Sequence, residues 1–322
     1  MTLAAPLSLA VTARRGWLRP VVTAVLILAI LGILWTFGPS FFRINNFINI
    51  LVQSSSLVIL ATGMALVMIG GGIDLSLPFN AALSAVLGAM YMRATGDPVI
   101  GSLIMLLSGL AIGFFNGIAV GYLKMIPFVV TLAMMTITNG AAVWLTGSIS
   151  ISNIPPKFVD LFFSRHLGVP MSVLIAATTS LLLIVVMSET IYGRWLYAVG
   201  INIKAAEIAR VPTRRVLTAS YVLAGLIGGL TAILLTGRLA SASSNLASPS
   251  MVLDVVSACV IGGISIYGGA GRVWGAALGA LFITLLNNAL NAAEISLYVN
   301  QMIRGGMIVV FVALDRFGGS RS

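Results

Sequence analysis

The chain has 322 residues, 59% of them hydrophobic and only 8% charged, with a mean hydropathy of +1.09. So few charges cannot cover a water-soluble surface, which excludes a soluble globular domain and predicts a polytopic membrane protein. A net charge of +10 would suggest nucleic acid in a soluble domain, but these basic residues sit in short segments between apolar runs, where they set membrane orientation, so no nucleic-acid partner is expected.

Apolar runs of about 17 to 25 residues are read as spanning helices, and about ten are predicted. The first, 20–38, follows Arg14, Arg15 and Arg19 and imitates a secretory signal. Its length, with no small-residue cleavage site after it, predicts a retained span instead. The others are expected at 47–70, 77–94, 99–123, 127–147, 171–188, 216–236, 251–267, 273–290 and 295–314. The expected fold is an all-α membrane helix bundle forming a single domain over 1–322, with both termini on one side. Cytosolic termini place Arg14, Arg15, Arg19, Lys124, Arg194, Lys204, Arg210, Arg214, Arg215, Arg272, Arg316 and Arg321 inside. Only Arg43, Arg93, Lys157, Arg165 and Arg238 then lie outside, the bias expected of inner-side positive charge. Arg304 falls within the last span, where snorkelling and a functional charge are both open.

Two glycine-rich breaks interrupt this pattern, VMIGGGIDLSLP at 67–78 and CVIGGISIYGGAGRVWG at 259–275. Paired interruptions in corresponding places mark a moving or substrate-lining region, although glycines also let helices pack closely. Gly71, Gly72, Asp74, Gly262 and Gly263 are the candidate gate residues. The triple glycine is no phosphate loop, because no Gly-x-x-x-x-Gly-Lys followed by Ser or Thr occurs. Asp74 or Ser76, just before Leu77-Pro78, suits a helix N-cap, while an intramembrane carboxylate also suits proton coupling. Asp254 is expected in the first turn of its span, where the helix dipole favours it.

The remaining chemistry is sparse. His166 is the one histidine and has no cysteine near it, so no metal site is expected. Cys259 reads as a small core residue. No nucleophile and base are paired, so the chain is not expected to be an enzyme. The amides Gln53, Asn80, Asn116, Asn139, Asn287, Asn288 and Asn291 must find partners or water inside the spans. They either tie helices together or line a path for a neutral polyhydroxylated solute, with Phe128 or Trp144 offering an aromatic face. Gln53, Phe128, Thr131, Asn139, Asn287 and Asn291 are the path candidates. The segment 189–215 is a charged island carrying Arg194, Lys204, Arg210, Arg214 and Arg215, and it reads as the main cytosolic feature.

Several motifs in collinear order resemble the permease subunits of bacterial ATP-binding-cassette importers for ribose and related monosaccharides. These are Gly71-Gly72-Ile73-Asp74-Leu75-Ser76, then Asn116-Gly117 ahead of Ile126-Pro127-Phe128-Val129-Val130-Thr131-Leu132. Gly193-Arg194, Ala198-Val199-Gly200-Ile201-Asn202 and Ala205-Ala206 come next, then Ile261-Gly262-Gly263-Ile264-Ser265 and Gly268-Gly269. The chain departs from the family at Leu77-Pro78, where Val-Gly is usual, and at Val252, where a glutamate is common.

The resemblance implies a bacterial inner-membrane importer built from two permease subunits, identical or related, set in lipid, with a cytosolic ATPase and an extracytoplasmic solute-binding protein. ATP and Mg then belong to the ATPase, and no cofactor is bound by this chain. A coupling helix is expected at about 202–211, with Ala205 and Ala206 allowing close approach and Lys204, Glu207 and Arg210 at its rim. Gly200 and Asn202 complete that segment. The alternatives are a permease for another small solute such as a branched-chain amino acid, from a more distant branch of the superfamily, and an ion-coupled secondary transporter using Asp74 or Asp254.

Overall fold

The computed structural model describes residue 32 and residues 43–166 and 168–318. The expected span at 20–38, Gly32 apart, and the N-terminal arginines lie outside them. The described chain is almost all helix, as hydrocarbon demands of a backbone that must satisfy its own hydrogen bonds. In order come α1 (Ile44–Ile69), α2 (Leu77–Thr95), α3 (Pro98–Gly121), α4 (Pro127–Thr146), α5 (Pro156–Phe163), a hairpin of β1 (Arg165–His166) and β2 (Val169–Pro170), and α6 (Met171–Glu189). After these stand α7 (Ile191–Ile201), α8 (Ile203–Ile208), α9 (Thr213–Leu239), a 3-10 turn (Ser244–Leu246), α10 (Pro249–Ile261), α11 (Val273–Ala292) and α12 (Leu297–Gly318).

Among the described residues, seven helical segments are long and apolar enough to cross a membrane: α1, α3, α4, α6, α9, Ser244–Ile261 and α11. The runs expected at 77–94 and 295–314 are helices, α2 and α12, outside those seven. α2 carries the buried Asn80 and Ser84, with the exposed Arg93 in its last turn, and is buried along most of its length by its neighbours. A helix enclosed by protein is free to carry polar side chains that lipid would reject. Local sequence sets the ends. Proline opens α2, α3, α4 and α10 within the first two positions, and Asp97 caps α3 by accepting from Val99 N at 2.8 Å and Ile100 N at 3.1 Å.

The chain divides into two compact units, Ile48–Thr284 and the two ends, Met1–Phe47 with Leu285–Ser322. The centre of the larger unit is α3 laid against α9. Gly109, Gly113, Gly117 and Gly121 form a stripe on α3, and a Cβ at any of them would strike α9 at Gly225, Gly229 or the Thr218 region. Apolar side chains gain nothing by leaving lipid for each other, so close backbone approach through small residues takes over as the cohesive device. Polar ties add to it: Thr218 Oγ1 donates to Gly117 O at 2.9 Å, and Asn80 Nδ2 donates to Gly109 O at 3.1 Å. At the far end of α9, Phe162 of α5 sits on Gly237, and Ile151 pairs with Ala242 in an isolated bridge. In the smaller unit, Arg304 Nε donates to the buried Asn300 Oδ1 at 2.8 Å, one turn earlier on the same helix.

Candidate coupling junction and translocation path

The charged island folds as two short helices, α7 and α8, rather than as a loose loop. Asn202 separates them, its Oδ1 accepting Ala205 N at 3.1 Å as the cap of α8. α8 is shorter than the expected 202–211. Val211 N bonds back to Ala206 O and Arg210 N to Glu207 O, both at 3.0 Å, while Arg210 takes φ 59. That is the hydrogen-bond pattern of a left-handed helix stop, here with arginine at the position glycine prefers. Lys204, Ala205, Glu207 and Arg210 are exposed, whereas Ala206 is buried. Sequence reasoning missed three isoleucines: Ile208 is 85% exposed and Ile201 74%, with Ile203 also outward. A charged island studded with exposed isoleucines has the make-up of a docking surface, and their presence among the charges was the available signal.

The two glycine breaks are the same local device. α1 ends with Gly71 at φ 84, Gly71 N bonded to Met68 O and Gly72 N to Val67 O. α10 ends with Gly263 at φ 83, Gly263 N bonded to Val260 O and Ile264 N to Cys259 O. Both are helix stops that need a left-handed residue, which glycine supplies without a steric cost.

These breaks meet the coupling segment. Gly269 N donates to Ile69 O at 2.8 Å, joining the second break to the end of α1. Gly268 lies against the backbone of Gly71, and Gly200 against Ile69 O and Gly269. Ile201 covers Gly269, and Tyr197 Oη on α7 donates to Gly271 O at 2.8 Å. Burial raises the Tyr197 phenol above its ordinary pKa, with Arg272 acting in the opposite sense. Gly71 and Gly200, separate candidates in the sequence, are therefore neighbours. Gly268 and Gly269, which the sequence marks only as part of a motif, form the centre of the junction. Gly262 and Gly263 lie at the other end of the second break, where Gly262 packs on Gly275 of α11.

The first break is also braced from the side. Asp74 is 2% exposed, and its Oδ1 accepts from Ser76 N at 3.0 Å and Ser76 Oγ at 2.5 Å. Ser76 Oγ accepts in turn from Asn116 Nδ2 of α3 at 2.9 Å, and Thr131 Oγ1 of α4 donates to Ile73 O at 3.0 Å. Of the two expected N-caps, Ser76 holds the cap position of α2, though without a side-chain cap bond, and Asp74 instead makes a turn two residues ahead of it. Asp254 is corrected too. It lies beyond the first turn of α10, whose cap is Ser248 accepting Met251 N at 3.3 Å.

The path candidates separate by environment. Thr131 is fully buried, Asn80 and Asn116 are helix ties, and Gln53, Phe128 and Asn139 are exposed. Asn139 stands between the exposed Ile137, Val143 and Trp144 of α4, so an amide faces outward at mid-helix and calls for a polar partner or water. In the smaller unit, Asn291 is exposed and Asn287 is half-buried, its Oδ1 without a partner among the described residues.

The described residues thus form a polytopic helix bundle in which two helix breaks meet a charged helical segment. The chain belongs to the family described as branched-chain amino acid transport system / permease component, whose model matches residues 46–312. It is 32% identical to the ribose import permease protein RbsC of Escherichia coli K12 over 305 residues, 94% of this chain and 95% of that one. It is 36% identical to RbsC of Bacillus subtilis over 281 residues, 87% of each chain. A similarity of 32% over 308 residues, 90% of this chain and 91% of the other, links it to the galactose/methyl galactoside import permease protein MglC of Haemophilus influenzae. No solved structure matches the chain.

Proposed function

We propose that this chain is the membrane subunit of an ATP-driven importer and forms the route for a neutral monosaccharide or related polyol. The sugar permeases it resembles support the solute class, and those names favour sugar over a branched-chain amino acid or an ion-coupled carrier. The single observation that carries the mechanism is the junction of Gly200 and Tyr197 with both breaks. A separate ATPase docks on α8 and its exposed isoleucines, and a push there reaches the two breaks through backbone contacts rather than through a flexible linker. In this reading about ten spans cross the membrane with cytosolic termini, as the distribution of basic residues favours. A binding protein delivers the solute from the other side, and a second permease copy or related chain completes the channel. Gln53, Phe128, Asn139, Asn287 and Asn291 are assigned to the path, where contacts stay weak so that cargo is released, whereas the buried Thr131 belongs to the brace of the first break.

The test is reconstitution in vesicles with the partner ATPase and binding protein. ATP-dependent uptake of a labelled sugar, absent without the ATPase, is the expected result. Uptake by the purified chain alone under a proton gradient would overturn the reading, and uptake of leucine in preference to ribose or galactose would move it to the other solute class.

A further inference from the structure

Behind α8 lies a cleft of about 490 Å³, walled by residues of the junction, to which the import reading assigns no ligand. That size falls within the range of small-molecule sites. Its walls are Gly70 to Gly72 of the first break, the Gly200–Asn202 turn, Lys124 and the start of α9. Three cations line it, Lys124, Lys204 and Arg214, against one carboxylate, Glu207, whose Oε1 already accepts Thr213 Oγ1 at 3.3 Å. None of the three cationic side chains has an ion pair or hydrogen bond among the described residues.

Two further features make this arrangement costly while the cleft is empty of anions. The first turn of α9 holds no acid and no side-chain cap but does hold Arg214 and Arg215, which sets positive charge on the positive end of a long helix dipole. Tyr221, also on the wall, is 1% exposed, and its hydroxyl has no hydrogen-bond partner among the described residues. Unpaired cations around a cleft whose wall at Gly72 backs onto an orphaned buried phenol are the complement of an anionic, hydroxyl-bearing ligand.

We infer that this cleft binds a phosphate group, held by Lys124, Lys204 and Arg214, with Tyr221 and Asn202 toward the rest of the ligand. Lys204 belongs to α8, whereas Lys124 lies in the turn between α3 and α4 and Arg214 in the first turn of α9. Bound phosphate therefore clamps the coupling helix to the body of the permease. Resting on the import reading, this makes a phosphorylated solute on the cytosolic side a brake on its own uptake. Phosphate chemistry has two sources, a soluble phosphate monoester and the headgroup of an anionic lipid.

The experiment uses the full chain in nanodiscs without the ATPase, so its outcome does not depend on whether import is ATP-driven. In phosphatidylcholine discs, ribose 5-phosphate and inorganic phosphate are titrated against plain ribose, with binding read calorimetrically. Saturable binding of the phosphates but not of ribose, weakened about tenfold by Arg214→Gln or Lys124→Gln and largely kept by Arg214→Lys, establishes the soluble source. If phosphates fail there but native mass spectrometry of phosphatidylglycerol discs shows one retained lipid that Arg214→Gln releases, the source is the lipid. Binding in neither disc overturns the proposal, as does binding indifferent to Lys124→Gln, Lys204→Gln and Arg214→Gln.

Discussion

Helices α1 and α10 stop in the same way, with Gly71 at φ 84 and Gly263 at φ 83, yet the chain after each stop is held differently. The first break turns at once into α2 and is braced by side chains from two other helices, Asn116 to Ser76 and Thr131 to Ile73. The second runs further, with Gly268, Gly269 and Gly271 at positive φ, and its bonds to other elements are made by backbone atoms: Gly269 N to Ile69 O, and Gly271 O from Tyr197. One is an anchor and the other a contact strip. The same helix-stop chemistry thus serves two ends, and the residues C-terminal to the glycine pair decide between them.

Breaking the contact strip has the largest expected effect. Gly268→Val combines a left-handed backbone with a side chain driven into Gly71, so the loss goes beyond the roughly 1 to 2 kcal/mol of the φ term. ATP-dependent uptake should fall at least about tenfold while the protein still reaches the membrane. Uptake within twofold of the parent would show that this contact transmits nothing. Gly71→Ala, in contrast, adds a methyl into open space and meets the φ term alone, so it should be the milder change in paired uptake assays.

The coupling helix yields a sharper contrast between adjacent alanines. Ala206 is 4% exposed, and Trp there must displace the body of the permease, lowering the yield of folded protein. Ala205 faces outward, so Ala205→Trp should fold normally and lose ATPase binding. Equal expression of the two variants, or normal sugar-stimulated hydrolysis by Ala205→Trp, would misplace the docking face.

Much of this was legible in the sequence because glycine is specific about backbone. The paired Ile-Gly-Gly stops and the Ala-Ala helix between charges derive from residue type and spacing. The path was not legible residue by residue. Thr131, Asn80 and Asn116 look like Asn139 in the sequence, and only burial and hydrogen bonding separate a tie from an outward amide. Helix α2 is likewise less apolar than the spanning helices because it carries Asn80, Ser84 and Arg93, and the neighbours that bury the first two are not visible in the sequence. The meeting of Gly200 with Gly269 joins positions so distant in the chain that no local pattern reports it.

The bracing of the first break should prove structural. Asp74→Asn keeps an Oδ1 acceptor for Ser76 N and Oγ, so uptake should stay within about threefold of the parent, a cost under about 1 kcal/mol, with an unchanged pH profile. Asn116→Leu removes the donor to Ser76 Oγ and strands a buried polar group, an expected cost of about 1 to 3 kcal/mol, read as a lowered midpoint of thermal unfolding. A collapse of uptake in Asp74→Asn that acidic pH restored would make the carboxylate a proton carrier and the brace incidental.

The smallest effect is expected at Arg210, where the glycine stop is imitated without a glycine. Its φ of 59 costs an ordinary side chain about 1 to 2 kcal/mol, while glycine's extra freedom in the unfolded chain takes back about 0.4 to 1 kcal/mol. Arg210→Gly should therefore stabilise the end of α8 by a net amount of about 0 to 1.6 kcal/mol, seen as slower hydrogen exchange at the amides of position 210 and Val211 relative to Arg210→Ala. Alanine keeps the backbone strain and removes the same charge, so the pair separates the two contributions. If both variants slowed exchange equally, repulsion among the basic residues of this segment would be the dominant cost there, and the strained turn a minor one.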